Sequence, residues 1–307
     1  MLVGGLFLYI SYYGCNQTQV QRQLSTKDID DTNMALFMNG ISRFPVVLGY
    51  CFLGVVIGAF AAIHTGFLST LPTREILVNG VSQSAPNYNA AVPIFVLTYL
   101  PHGVIGIIII GLFAAAMSSL DSTLNSLSAV TVRDVFDRYL MAGSKRSPKM
   151  SLWLSKGTTV FWGIICVGFS FFVGGISDSI IVSINKIGSL ANGPILATFL
   201  LAILTKRAND KGAVIGIIAG FVVNLFLWLF VPGVSWLWWN AIGCVITFGI
   251  GYLASFAFAA PEVAKIRHLT WRRGIARELF QLRRNWKVYY GLLGLYFVVI
   301  LVILAVI

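Results

Sequence analysis

From Gly212 to Pro261 the chain runs for 50 residues without a charged side chain. The hydrocarbon core of a bilayer is ~30 Å thick and is crossed by ~20 apolar residues in a helix. Pro232-Gly233 divides the run where a helix interior would break. The run therefore predicts two membrane spans joined by a tight turn. Further uncharged runs cover Phe44–Ile63, Gly157–Ser177, Ile187–Thr205 and Val288–Ile307. Charged residues make up 11% of the 307, against roughly 25% in soluble domains, so a soluble fold is excluded.

Another uncharged run, Ile76–Leu120, opens with Asn, Ser, Gln and Pro and predicts an ordered external loop before a long helix that begins near Pro101. Leu2–Cys15 is apolar but too short to cross unaided. The predicted helices are A (1–21), B (43–63), C (102–138), D (157–177), E (179–205), F (212–231), G (235–258) and H (288–307). Helix A opens directly on apolar sequence and is expected to be the remainder of a longer element. Its interruptions are read at Gly4-Gly5 and over Tyr12–Gln17, and those of helix E at Asn185-Lys186, Gly188-Ser189 and Asn192-Gly193-Pro194. Broken hydrophobic segments point to a transporter's binding site, because unwound backbone exposes groups that can hold substrate or ion. Lys186 is read as snorkelling outward. Gly212, Gly216 and Gly220 repeat at the spacing of close helix packing.

Cytoplasmic loops collect Lys and Arg. With the loops alternating sides, 20 of the 22 basic residues fall between A and B, C and D, E and F, and G and H; Arg74 and Lys186 are the others. Those loops are therefore expected inside, and the net charge of +11 is a topology signal rather than a nucleic-acid surface. Trp236, Trp238 and Trp239 fit an outer aromatic belt. Between G and H, apolar residues recur at mostly three- and four-residue spacing among eight basic ones. Residues 262–287 are expected to lie along the inner leaflet against anionic lipid, with a solvated basic loop as the alternative. The cysteines Cys15, Cys51, Cys166 and Cys244 and the three histidines are scattered, and no phosphate loop, zinc motif or nucleophile elbow is present, so no enzyme chemistry is indicated.

The densest polar cluster at membrane depth lies in helix C. Ala115, Ser118, Ser119, Ser122 and Asn125 share one face at helical spacing. Hydroxyl and carbonyl oxygens on such a face suit a small hard cation, which exchanges water oxygens for protein oxygens; small hydroxylated residues also simply pack helices closely. Asp121 adds a carboxylate at the same depth.

Gly111-Leu112-Phe113-Ala114-Ala115-Ala116-Met117-Ser118-Ser119-Leu120-Asp121-Ser122-Thr123-Leu124-Asn125-Ser126, with Thr131-Val132-Arg133-Asp134 after it, resembles the signature of the sodium/solute symporter family of sugar, proline, iodide and vitamin carriers. Tyr12–Gln17 with Val20-Gln21-Arg22 resembles that family's broken substrate helix, and Gly188–Leu196 its kinked helix E. The resemblance implies an all-α integral membrane protein with the leucine-transporter-type inverted-repeat fold, residues 1–205 forming the second five-helix repeat and residues 206–307 extra carboxy-terminal helices. It implies sodium held by the Ala115 carbonyl and the Ser118 and Ser119 hydroxyls, with Ser122 as a candidate for a further ion. It implies solute contacts by Tyr12, Tyr13, Asn16 and Asn185, where family sugar carriers tend to have Gln at the position of Asn185. The expected function is sodium-coupled symport of a small organic solute or ion at the plasma membrane, and an amino-terminal five-helix half is expected as the missing partner. A channel or regulatory membrane subunit is the alternative.

Overall fold

The computed structural model describes residues 2–78, 81–140, 147–173, 180–262, 270 and 284–306. In chain order the elements are α1 (Leu2–Cys15), α2 (Gln17–Leu24), α3 (Ile29–Ile63), α4 (Phe67–Thr70), β1 (Thr73–Val78), β2 (Val81–Pro86), α5 (Ala91–Tyr99), α6 (His102–Val130), α7 (Pro148–Val173), α8 (Ile180–Leu204), α9 (Asp210–Phe230), α10 (Trp236–Ala254) and α11 (Trp286–Val306). Seven helices among the described residues, α3 and α6 to α11, are long and apolar enough to cross a membrane.

Where charges interrupt a run, capping rather than hydropathy decides where the helix starts. Span B is predicted from residue 43, whereas α3 begins at Ile29, because the Asp28 carboxylate accepts from the Asp31 amide at 2.8 Å. At 35 residues α3 is about 50 Å long and therefore projects well beyond the hydrocarbon. In α9 the Asn209 side chain accepts from the Gly212 amide at 2.8 Å. Helix D also starts earlier than predicted, at Pro148. The predicted external loop contains an antiparallel hairpin, β1 on β2 from Thr73↔Pro86 to Val78↔Val81, followed by α5. The 262–287 segment lies almost wholly outside the described residues.

The chain forms two compact units, residues 1–27 with 181–284, and residues 28–180 with 285–307. In the first, α10 is the hub, and glycines let backbones approach it. A Cβ on Gly216 would stand 2.6 Å from the Thr247 carbonyl oxygen and 2.7 Å from the Gly251 Cα, so the glycine repeat of α9 is a packing seam as expected. Gly193 of α8 meets the Asn240 carbonyl, and Gly4 of α1 the Leu237 carbonyl, in the same way. The interruption expected at Gly4-Gly5 is therefore absent: α1 runs through it, and Gly4 serves close approach instead. The aromatic belt is also corrected in part. Trp238 is exposed, but Trp239 is buried and tilted against Trp228 at 6.2 Å.

In the second unit α11 lies along α3. The Trp286 indole donates to the buried Asp30 carboxylate, Tyr290 bonds Asn33 at 3.2 Å, and the Tyr296 hydroxyl donates to the Ile41 carbonyl at 3.1 Å. At the other end of α3, Phe60, His64, Phe67, Phe95 and Tyr99 pack edge-on and stacked, joining α3, α4 and α5. Polar contacts tie α6 to α7: the Ser128 hydroxyl donates to the Ser155 carbonyl at 2.9 Å, and the Trp162 indole to the Thr131 hydroxyl at 2.9 Å.

Candidate functional site

The proposed solute residues lie where the first apolar helix stops. Asn16 adopts extended backbone, φ −76° and ψ 119°, and its side-chain oxygen accepts from the Thr18 amide at 3.0 Å. That geometry ends α1 and starts α2. The last carbonyls of α1 then lack intrahelical donors. Gln23 of α2 supplies one, donating to the Tyr13 carbonyl at 3.0 Å, and Gln19 donates to the Tyr12 hydroxyl at 2.7 Å. Tyr12 and Tyr13 stand edge to face at 5.1 Å, with Tyr9 stacked on Tyr13 at 6.4 Å. One face is thus built from Tyr9, Tyr12 and Tyr13 and held by two glutamines that sequence reasoning missed. Their signal was the polar helix Gln17–Leu24 directly after an apolar one.

Asn16 joins the tyrosines at this break. Asn185 does not: its amide donates to the Ile181 carbonyl of its own helix at 2.8 Å. The buried Ser11 joins α1 to α8, its hydroxyl donating to the Asn192 carbonyl at 2.9 Å.

The proposed ion residues lie on α6, in the other compact unit. Ala115, Ser118 and Ser119 are exposed and Ser122 is half-buried. Hydroxyls bond back along the helix, Ser122 to the Ser118 carbonyl at 3.1 Å, Thr123 to the Ser119 carbonyl at 2.9 Å and Ser126 to the Ser122 carbonyl at 2.8 Å. The hydroxyls of Ser118 and Ser119 stand outside this ladder. Asn125 donates to the Asp121 carboxylate at 3.0 Å, so these two residues form their own pair. The helix continues past Val130 into a wider, π-type turn over Thr131–Leu140. The arrangement presents oxygen donors along one exposed face, as a hard cation requires.

The profile of the family described as "Sodium:solute symporter family" matches residues 2–220. A human sodium-coupled monocarboxylate transporter 1 is 28% identical over 229 residues, 74% of this chain and 35% of that protein. A sodium/sialic acid symporter of Aliivibrio fischeri is 26% identical over 262 residues, 84% of this chain and 48% of that protein. Among solved structures, the substrate-bound outward-open state of a Na+-coupled sialic acid symporter matches with a TM-score of 0.63 and 25% identity, over 85% of this chain and 50% of that one. The chain spans about a third to a half of the length of these relatives. With the membrane-length helices, the likeness bears out the expected fold class, an α-helical, multi-pass integral membrane protein with the leucine-transporter-type fold.

Proposed function

This chain belongs to the sodium:solute symporter family, and we propose that it is the ion- and solute-binding part of a sodium-coupled symporter for a small organic solute, working by alternating access. The observation that carries the reading is the coexistence of an oxygen-lined α6 face with a discontinuous, tyrosine-bearing α1–α2 segment, the kind of broken helix that forms binding sites in secondary transporters. Sodium is the coupling ion, held by the Ala115 carbonyl and the Ser118 and Ser119 hydroxyls, with Ser122 as the candidate for a further ion. The solute packs on Tyr12 and Tyr13 and is hydrogen-bonded by Asn16 and Asn185. Asn16 already spends its oxygen on the Thr18 amide, which leaves its NH2 for a solute acceptor. The relatives named for monocarboxylate and sialic acid make carboxylate-bearing solutes the first to test. Residues 1–205 form the second five-helix repeat and residues 206–307 the additional helices. The α6 face is exposed, which supports a reading in which the remaining sodium ligands come from a partner segment.

The test is uptake by a transport-competent form of the protein. Ser118→Ala and Ser119→Ala are each expected to raise the sodium concentration for half-maximal uptake by about tenfold, ~1.4 kcal/mol, since a lost ligand leaves a partly desolvated cation uncompensated. Solute affinity at saturating sodium should move less. Unchanged sodium dependence in both variants at normal surface levels would return the serines to a packing role. A conductance without stoichiometric solute coupling would favour a channel.

The protein sits in the plasma membrane with loops 143–150 and 262–287 in the cytoplasm, the latter against anionic lipid, and 64–92 outside. The charge distribution supports this orientation. Cysteines placed singly at 83, 145 and 273 should react with an impermeant thiol reagent in intact cells only at 83. Labelling at 145 or 273 but not at 83 would reverse the topology.

A further inference from the structure

Pro194 sits inside α8, where its missing N–H leaves the carbonyl four residues earlier, that of Leu190, without a helix donor. The side chain of Asn224 in α9 stands at that position. It is fully buried, and its Nδ2 donates to the Leu190 carbonyl at 3.1 Å and to the neighbouring Ser189 carbonyl at 3.2 Å. The reverse amide orientation would set oxygen against two carbonyl oxygens, so the donor assignment is fixed by chemistry. Asn224 Oδ1 has no partner. A buried unsatisfied acceptor is destabilising, so the residue's worth at this position lies in its donors.

The surroundings are shaped to the same contact. A Cβ on Gly243 of α10 would fall on the Asn224 amide and 2.9 Å from the Pro194 ring, so only glycine leaves room for both. Asn240 of α10, also fully buried, donates to the Ser189 hydroxyl at 3.0 Å. Two helices thus send amide donors to the turn of α8 that precedes the proline.

The interruptions expected in helix E are absent, since α8 is continuous from Ile180 to Leu204, and we propose that Asn224 is a positioning residue: it replaces in trans the backbone donor that Pro194 removes, and it fixes the angle between the parts of α8 on either side of the proline. A side-chain donor from a neighbouring helix holds that angle only while α8 and α9 stay in place, so any pivot of the first part of α8 must release Asn224. The consequence for solute rests on the reading of Asn185 above, because Asn185 lies about two and a half turns before Pro194 on the part so positioned.

The experiment measures the distance between spin labels at Ile184 and Ile203, both exposed and about 28 Å apart along an unbroken helix, in a cysteine-free form of the membrane-reconstituted protein. One narrow distance peak is expected for the parent. Asn224→Ala should lose that peak to a broad distribution, while Pro194→Ala should keep a single peak, because residue 194 then donates to the Leu190 carbonyl itself. The deciding sample is Pro194→Ala with Asn224→Ala, where a single peak should return. A broad distribution in the double variant, or an unchanged peak in Asn224→Ala, would overturn the proposal. Should Asn224→Ala fail to insert, recovery of folded protein in the double variant supports it and failure to recover overturns it. Solute uptake by the transport-competent form separates the two readings: a broadened distribution with unchanged solute KM keeps the positioning role and withdraws Asn185 from the solute site.

Discussion

Reconstituted alone into liposomes, the 307-residue chain is expected to take up no solute in response to a sodium gradient, and uptake should return when an upstream five-helix segment from the same locus is supplied. On α6 the proposed ligands are one carbonyl and two hydroxyls, from Ala115, Ser118 and Ser119. A hard cation that surrenders its hydration shell to protein is satisfied by about six oxygens. All three residues are exposed, so in isolation the ion would keep its water there and gain little from binding. Alternating access also needs a partner body against which the binding helices rock. The loss expected is of all coupled transport, with insertion and helix content preserved. Sodium-dependent, saturable uptake by the purified chain alone would refute the shared site.

Gly216→Leu should have the largest effect on folding. The atoms that a new Cβ meets are backbone, the Thr247 carbonyl and the Cα and N of Gly251, so no rotamer change relieves them and α9 must move off α10. Overpacking of flexible cores costs ~1–3 kcal/mol; here more than about 3 kcal/mol is expected, because a helix seam rather than a side chain must open. Gly249→Leu, on the same α10 but with nothing within 4 Å, is the control and should unfold in detergent at the parental temperature. Equal thermal stability of the two variants would show that the α9–α10 seam is not a determinant of the fold.

The contrast between these glycines shows what a single sequence can and cannot reveal. The period of Gly212, Gly216 and Gly220 announces a seam, because a repeat every four residues keeps to one helix face. Gly4 has no such period, and next to Gly5 it reads as a break; only the Leu237 carbonyl opposite explains it. Spans were legible because hydrophobic length reports the bilayer, yet α3 begins before residue 43 because the Asp28 side chain caps the Asp31 amide, a signal that hydropathy ignores. The hairpin was legible in principle. Asn79-Gly80 joins the runs 73–78 and 81–86, and that dipeptide is a strong two-residue hairpin signal.

The proposed ion and solute residues were picked out by likeness of pattern, while the groups that hold them were not. Gln19 and Gln23 act from the next helix, and their partners are a hydroxyl and a carbonyl whose freedom depends on where α1 ends. Asn224 is a single amide in an uncharged span. A lone amide in such a span is itself a signal, since polar groups at membrane depth pair across helices. Its partner became identifiable only with Pro194 and Leu190 brought against it.

That contact also bears on the order in which the protein is made. The Leu190 carbonyl lies 34 residues ahead of the amide that satisfies it, and at ~5–20 residues per second the ribosome delivers Asn224 about 2–7 s later. During that interval the Leu190 carbonyl has neither a helix donor nor Asn224, and a bare backbone group is costly in hydrocarbon. Water or another side chain is then the stand-in donor, and α8 is expected to settle fully in the bilayer once α9 arrives.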